Sequence, residues 1–541
     1  MSESVSVLIV GAGPTGLTLA LELARQRISF RIIDKAPALT DKSKALVMQP
    51  RSVELLDRHG LGSELLSCGV STTGITIVVS GKKVTEIPLS KIASQVKDSF
   101  HPLPLFIEQS ETERILHDRL LQYGCKLDRG ITAKTIVQDD SGVNATLEDS
   151  SGIQTLIRAN YVIGADGAHS IVRHASDAFT FDGAEYAQDF ILCDAHIRPT
   201  RVSDNLHMCL GRGQMALLPL KDDKIRVIIT LPTKLDAELQ LADIQKFLDA
   251  MAPGYGELYD PTWMTRFSLH HRGVNLYRDR RLFVAGDAAH IHSPVGGQGM
   301  NTGIQDAINL GWKLGAVIRG ERPDSFLDTY HEERHPVGQQ LLKSTDRAFT
   351  WLTWSNPIYM YIRNTLLPLI LPRVTSNIDR LRQGYLFVSE FAVSYVNSPI
   401  VGKGPGHNCP VTGGSRTPNG RLMDKSGERK TLYQILPADS HSLVLFAGSG
   451  PHAASLTEIK TAKERFMNAR PQASEADVYI VHSAEDLTIL EPNHFWDVEV
   501  ALHESFGFKA SGYAYIRPDF YIAHIGPLSS LDSLLSRLSE I

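Results

Sequence analysis

Apolar residues fall into distinct rhythms along the chain. Ser6-Val7-Leu8-Ile9-Val10 is a continuous apolar run, as expected of a strand covered on both faces of a parallel sheet. Leu17 to Arg27 then carries helical spacing, and Phe30 to Ile33 reads as a second strand ending at Asp34. Similar runs recur at Tyr161-Val162-Ile163 and Leu282-Phe283-Val284. Near 180–270 the rhythm shortens to β-like runs, Phe190 to Ile197, Gln214 to Leu218 and Lys224 to Leu231. From about Pro399 the composition turns to Gly and Pro (Gly402-Lys403-Gly404-Pro405-Gly406), a plausible linker. Strands such as Ser442 to Phe446 and Val478 to Val481 then alternate with helical stretches such as Thr457 to Phe466. The longest apolar stretch, Ile358 to Leu371, is interrupted by Arg363 and Asn364 and is too short to span a bilayer. It predicts a buried helix, with a membrane-surface contact as the rival reading.

Candidate chemistry begins at Gly11-Ala12-Gly13-Pro14-Thr15-Gly16, between the first strand and the first helix. Gly11 suits the tight turn, Gly13 a close backbone approach to pyrophosphate, and Gly16 close packing of helix on strand. The helix N-terminus presents free N–H groups to phosphates, and Asp34 lies at the separation that holds a ribose hydroxyl. A lone G-x-G-x-x-G is weak evidence, but the strand–turn–helix–strand–Asp context makes it strong. It does not separate FAD from NAD. Two later segments do: Tyr161 to Ser170, containing Asp166-Gly167, and Arg281 to His290, containing Gly286-Asp287. The second leads into Ser293-Pro294-Val295-Gly296-Gly297-Gln298-Gly299-Met300-Asn301 and a helix. An NAD domain has no evident use for them, whereas a long cofactor threaded across a domain has.

With these three motifs the chain resembles the group A flavoprotein hydroxylases, the family of para-hydroxybenzoate hydroxylase and phenol hydroxylase. Smaller matches fall in order. Ser43-Lys44-Ala45 with Gln49-Pro50-Arg51 is similar to the flavin-side segment, although Lys44 stands where Arg is usual. Gln109-Ser110-Glu111-Thr112-Glu113 resembles the segment whose Gln follows the ribityl chain. Arg517-Pro518-Asp519 with Tyr521-Ile522-Ala523 resembles the closing strand of the longer members. The resemblance implies an α/β fold: a Rossmann-like FAD-binding domain (1–75, 105–180, 272–350), an inserted β-sheet substrate domain (76–104, 181–271), a helical connection (351–398) and a thioredoxin-like C-terminal domain (399–541). Without a C-x-x-C in that last domain, packing or dimer contact is expected of it rather than redox chemistry.

The resemblance also implies FAD as cofactor, NADPH or NADH as transient reductant, and O2 as co-substrate. The expected reaction is hydroxylation of a phenolic or polyketide-like aromatic through a flavin C4a-hydroperoxide. Expected cofactor-binding residues are Gly11, Gly13, Pro14, Thr15, Gly16, Asp34, Lys35, Lys44, Arg51, Gln109, Asp166, Gly286, Asp287, Pro294, Gly297, Gly299, Met300 and Asn301. Arg51 is a candidate to neutralise the pyrophosphate, and Asp287 to bond ribityl or ribose hydroxyls. Pro294 would edge the hydroperoxide pocket, and the Met300 and Asn301 N–H groups would face flavin O2 and N1. No catalytic base is named. Two alternatives stay open: Baeyer–Villiger or epoxidising chemistry on a non-aromatic substrate, and a non-catalytic binding protein on the same scaffold.

Composition narrows the field little. The 541 residues exceed one core, and 43% apolar with 21% charged residues is ordinary. A net charge of −5 without a Lys/Arg-rich run gives no reason to expect nucleic acid. Five scattered cysteines fit a reducing compartment, and the N-terminus lacks a signal-peptide pattern. A cytoplasmic protein without a membrane span follows as the expectation, acting on a small aromatic molecule, with a homodimer allowed for. His290 and His292 form an H-x-H pair with no third ligand nearby, so no metal is expected.

Overall fold

The computed structural model describes residues 3–40, 45–198, 202, 204–211, 213–231, 239–293, 296–353, 356–402, 409–469, 476–483 and 492–540. The chain forms two compact units. One comprises Met1–Gln95, His101–Ala307 and His335–Glu390; the other Val96–Phe100, Ile308–Arg334 and Phe391–Ile541.

In the first unit, Leu282–Val284, Gln154–Gly164, Glu3–Val10, Phe30–Asp34 and Leu127–Arg129 lie side by side and parallel. Val7, Leu8 and Ile9 are fully buried, as are Val162, Ile163 and Phe283. The continuous apolar runs are therefore two-sided, as their lack of alternation requires. Register sets Val10 opposite Gly164 and Gly164 opposite Val284, so three strands end level. The helix Pro14–Arg25 packs beside the helix Gln109–Gln122.

A second sheet of this unit runs His290–Ile291, Glu257–Val274, Phe181–Arg198, Lys224–Leu231, Gln214–Pro219, Leu206–Leu210, Ile75–Val79, Lys82–Ile87. It is antiparallel except where Leu206–Leu210 meets Ile75–Val79. On one face Ile191, Cys193, Met215, Leu217, Val227 and Ile229 bury against Ile244, Leu248 and Met251 of the helix Leu241–Met251. Each such side chain contributes roughly 1.5–3 kcal/mol relative to exposure. Alternation sends their neighbours to the opposite face. There Phe190 packs on Phe349, while Val79 and Leu210 pack on Leu367.

Leu367 belongs to the helix Pro357–Thr375, which contains the stretch expected to be buried. Only one side of that helix is. Ile358 is 72% and Tyr361 74% exposed. The physical reason lies in the two interrupting polar residues: Arg363 and Asn364 turn inward and both donate to the Gly211 carbonyl. The apolar residues of the outer side are left facing out. Among the described residues, no helix is long and apolar enough to cross a membrane.

The second unit holds a mixed sheet in the order Arg429–Thr431, Arg421–Met423, His494–Trp496, Ala476–His482, His441–Phe446, Gly512–Ile516, Ile522–Pro527. The helices Leu456–Ala469 and Leu531–Leu535 share one core against it, through Ile459, Phe466, Leu531 and Leu534. Its last four strands, with one parallel pair and a closing antiparallel hairpin, have the thioredoxin-like arrangement. Beside it sits a buried charge network. Glu333 accepts from Arg517 at 2.6 and 2.8 Å, from Lys313 at 2.8 Å, from Asn309 at 2.7 Å and from Ser398 at 2.6 Å. Asp519 takes the rest of Arg517 and the Trp312 indole N–H. Burial raises the Glu333 carboxyl pKa, but Arg517 and Lys313 outweigh it and hold the group well below the usual carboxylate range. Burial pushes Lys313 down to about 8 despite Glu333.

A buried pair broken on one side leaves a charge uncompensated, at a cost of about 3–5 kcal/mol. Glu333→Ala should therefore lower the melting transition of the second unit sharply, followed by near-ultraviolet circular dichroism. Because the folded Glu333 pKa lies below its ordinary 4.5, its contribution is present above that pH and lost as pH falls further. Equal melting of variant and parent at pH 7 would remove the network as a stabiliser.

Candidate active site

Three backbone turns meet where the parallel strands end. Gly11 has φ +101°, and a Cβ there would lie 2.3 Å from the Ala165 carbonyl oxygen. A Cβ on Gly16 would lie 2.0 Å from the Gly11 oxygen, so the third glycine presses on the first one's turn. Gly13 is the contrast: a Cβ there would meet nothing within 4 Å. It stands at the N-cap of Pro14–Arg25 with no side-chain cap. The first N–H groups of that helix lack intrahelical acceptors and favour an anion.

Asp34 has a second use that its position alone did not reveal. Its Oδ2 accepts the Ala12 N–H at 2.7 Å and its Oδ1 the Ala36 N–H at 2.7 Å. The carboxylate thus shapes the glycine loop. Lys35 next to it is exposed.

At the second turn Gly167 has φ +78°, and Asp166 Oδ2 accepts the Ile171 N–H at 2.7 Å. Asp166 Oδ1 is buried without a hydrogen-bond partner among the described residues. Burial raises the Asp166 pKa, while bonds from Ser170 and the Ile171 N–H pull the other way. Arg173 joins this turn to the third, donating to Ala168 O at 2.7 Å and Ala288 O at 3.0 Å. Sequence reasoning gave Arg173 no role.

At the third turn Gly286 has φ +59°, and a Cβ there would lie 2.6 Å from Thr15 Oγ1. One on Gly303 would lie 2.3 Å from the same atom. The Gly286 N–H donates to Asp306 Oδ2 at 3.1 Å, an oxygen that also pairs with His290 Nε2 at 2.8 Å. Asp287 is exposed although residues 285, 286, 288 and 289 are buried, which aims its carboxylate outward from the turn. His292 donates from Nδ1 to the Ser293 carbonyl at 2.7 Å, and burial pushes its pKa down to about 4. Each ring of the H-x-H pair therefore makes one hydrogen bond, and His290 Nδ1 and His292 Nε2 are buried without one among the described residues. Among the described residues no metal-holding group of His, Cys, Asp and Glu occurs.

The loop before the helix Gly299–Ile318 closes against the 47–49 segment. Gly296 and Gly297 have φ +84° and +60°, and a Cβ on Gly297 would lie 2.6 Å from Val47 Cβ. Asn301 is fully buried. Its Oδ1 accepts the Gln49 N–H at 2.7 Å, and its Nδ2 donates to Val47 O at 2.9 Å and Gly297 O at 2.7 Å. Gln49 returns a bond to Gly296 O at 2.6 Å. The Asn301 side chain is a clamp, leaving its N–H, with those of Gly299 and Met300, at the helix start. Gln109 accepts the Ala45 N–H at 3.0 Å and donates to Glu113 at 2.9 Å. Arg51 is 0% exposed and pairs with Glu54 at 3.2 Å, so its ion pair is buried rather than superficial. Lys44 and Pro294 lie outside the described residues.

This arrangement fits FAD. The open space before Gly13 suits a pyrophosphate, the outward Asp287 suits cofactor hydroxyls, and the orphaned Asp166 oxygen still needs a donor.

The comparisons agree. The family described as FAD binding domain matches residues 4–345. The chain is 32% identical to 6-methylpretetramide 4-monooxygenase of Streptomyces rimosus, over 100% of this chain and 94% of that one. It is 35% identical to pentachlorophenol 4-monooxygenase of Sphingobium chlorophenolicum, over 100% and 97%. The solved structure of the OxyS anhydrotetracycline hydroxylase of Streptomyces rimosus superposes with TM-score 0.71 at 28% identity, covering 99% of each chain. The chain belongs to the FAD binding domain family, and within it to the group A FAD-dependent hydroxylases. It is an FAD-dependent monooxygenase, with NAD(P)H as reductant and O2 as co-substrate.

The glycines separate folding from binding. Gly13→Val should fold normally, since a Cβ there meets nothing within 4 Å, yet lose FAD by at least about 100-fold through collision with the pyrophosphate. Gly16→Val should not fold stably. Flavin absorbance after gel filtration, with circular dichroism, checks both. Full flavin loading of Gly13→Val would overturn the pyrophosphate assignment. Asp287→Ala should weaken FAD retention by about tenfold, the loss of one charge-assisted bond.

Proposed function

We propose that this monooxygenase hydroxylates a phenolic or polyketide-like aromatic molecule bound on the face of the second sheet turned away from the helix Leu241–Met251. The observation that carries this is a register. Phe190 lies opposite both Phe267 and Thr230, Leu192 opposite Thr265 and Ile228, and Ala216 opposite Ile228. These residues share the face turned away from the helix Leu241–Met251. Ala216, Leu218 and Ile228 pack with Leu46, Val47 and Phe106, and Val47 is the residue clamped to Gly297 and Asn301. One short segment therefore touches the cofactor loop on one side and this face on the other.

The chemistry of the face favours a flat neutral molecule. The register puts Phe190, Phe267, Leu192, Ile228 and Ala216 on it with the hydroxyls of Thr230 and Thr265, and Gln214 stands opposite Thr230. The charged pair of this face, Arg226 and Asp194, is bidentate at 2.7 and 2.6 Å and self-neutralised. A polycyclic phenol would gain apolar burial and find hydroxyls for orientation. Bound FAD would supply the chemistry by which NAD(P)H electrons activate O2. The chain's part is to position the ring and exclude water. The Gly299–Ile318 N-terminus would favour negative charge beside it. The relatives named for pretetramide and pentachlorophenol oxygenation support the substrate class. NADPH is the reductant proposed. A cytoplasmic location is proposed with it, supported by the reductant and by cysteines that are all free thiols. A homodimer is the assembly proposed.

The test is anaerobic reduction of the FAD-loaded protein by NADPH or NADH, with and without a panel of phenolic polyketides. Substrate-stimulated flavin bleaching, followed on oxygen admission by a ring-hydroxylated product, is expected. A product with a new ring oxygen would replace hydroxylation by Baeyer–Villiger insertion, and indifference to every phenol would overturn the substrate class. Ala216→Trp, which fills the face, should lower kcat/KM by at least about tenfold with flavin content unchanged.

A further inference from the structure

We infer that the outer side of the helix Pro357–Thr375 is the surface through which two copies of this chain associate. This rests on the homodimer proposed above and names its interface.

The helix is apolar on both sides, although one is already satisfied. Leu367 and Leu371 pack on Val79, Leu210 and Ile77, and Arg363 and Asn364 are held by the Gly211 carbonyl. The other side exposes Ile358 (72%), Tyr361 (74%), Ile362 (48%), Leu366 (45%), Leu369 (58%), Ile370 (49%) and Val374 (41%). These positions follow helical spacing and form one stripe. Its one charged residue is Arg373, whose guanidinium folds back onto the Leu369 carbonyl at 2.6 Å. The seven side chains expose on the order of 700 Å², above the largest apolar patch usual on a monomer, about 300–600 Å². That matches the ~800 Å² per partner of a standard interface.

The occupant is chosen by symmetry and charge. Ile358, Ile362, Leu366, Ile370 and Val374 lie four residues apart, a single ridge of the kind that packs into the grooves of a second helix. The inner three positions of the ridge, Ile362, Leu366 and Ile370, are palindromic about Leu366, with β-branched Ile358 and Val374 at its ends. A two-fold axis at that residue sets Ile362 of one copy against Ile370 of the other, with Leu366 meeting itself. An isologous interface requires this self-complementarity. Ile358 and Val374 then cover the surface beside the crossing. A membrane surface is the poorer fit. Helices that lie in a bilayer interface carry a basic polar face, whereas the second side of this one is packed against the sheet.

Sedimentation velocity of the FAD-loaded full chain, with Ile362→Asp/Ile370→Asp alongside, tests the inference. Both positions are half-exposed, so flavin content and circular dichroism should match the parent. The parent should sediment as a dimer, and the double variant should dissociate with a dimer constant weakened by at least about 100-fold. Leu366→Cys should cross-link to a dimer on mild oxidation, under conditions that leave the parent uncross-linked. A dimeric double variant, with Leu366→Cys not cross-linking, would overturn this interface while sparing the homodimer. A monomeric parent would overturn both. Flotation of the monomeric parent with phosphatidylcholine/phosphatidylglycerol vesicles, abolished in the double variant, would assign the stripe to a membrane surface instead.

Discussion

The first unit is organised around a contact in which there is no room for a Cβ atom. Gly11 lies against Ala165, Gly16 against Gly11, and both Gly286 and Gly303 against the hydroxyl of Thr15. The segments around residues 11–16, 165, 286 and 303 lie so close that a Cβ added at Gly11, Gly16, Gly286 or Gly303 would collide with its neighbour. Such closeness follows from the level ending of three parallel strands, since each feeds its turn into the same small volume. Positive φ at Gly11, Gly167 and Gly286 gives the turns the sharpness they need. Side-chain bonds then fix them: Asp34 to the first, Asp166 within the second, Arg173 between second and third, Asp306 to the third.

That economy of side chains shapes how much was legible in the sequence. The glycine pattern was readable because a missing Cβ is a property of residue type, and its reasons are local. The apolar runs were readable for the same reason. Roles that depend on a distant partner were not. Asn301 was expected to offer its N–H to a ligand, and its side chain proves to be the clamp between the helix start and residues 47–49. Thr15 was counted among the cofactor residues, but nothing near it in sequence shows that two glycines rest on its hydroxyl. Arg51 was a candidate to neutralise the pyrophosphate, and its complete burial with Glu54 was not visible in the sequence.

The stretch from Ile358 to Leu371 teaches a related point. Its hydrophobicity predicted burial, with a membrane-surface contact as the rival reading. What a count of apolar residues omits is direction. Arg363 and Asn364 interrupt the run, and intuition turns such residues outward; here one unpaired carbonyl at Gly211 draws them in. Two polar side chains that share the Gly211 acceptor face the sheet, and the apolar remainder of the helix is left facing out.

The same logic bears on how the site handles charge. A dinucleotide brings a pyrophosphate, and a reduced flavin adds another anion. Among the described residues, three cationic side chains near the site are committed or turned away: Arg51 to Glu54, Arg173 to two carbonyls, Lys35 to solvent. Helix N-termini at Gly13 and at Gly299, each worth about half an elementary charge, add positive potential that needs no side chain. Backbone dipoles are already oriented and cost little reorganisation when charge appears. A lysine or arginine reaching in would need space beyond its own Cβ, and the packing at Gly11, Gly16 and Gly286 excludes even that atom. Stabilisation by backbone and the exclusion of side chains are two consequences of one packing constraint, which is why the glycines report both the fold and the chemistry.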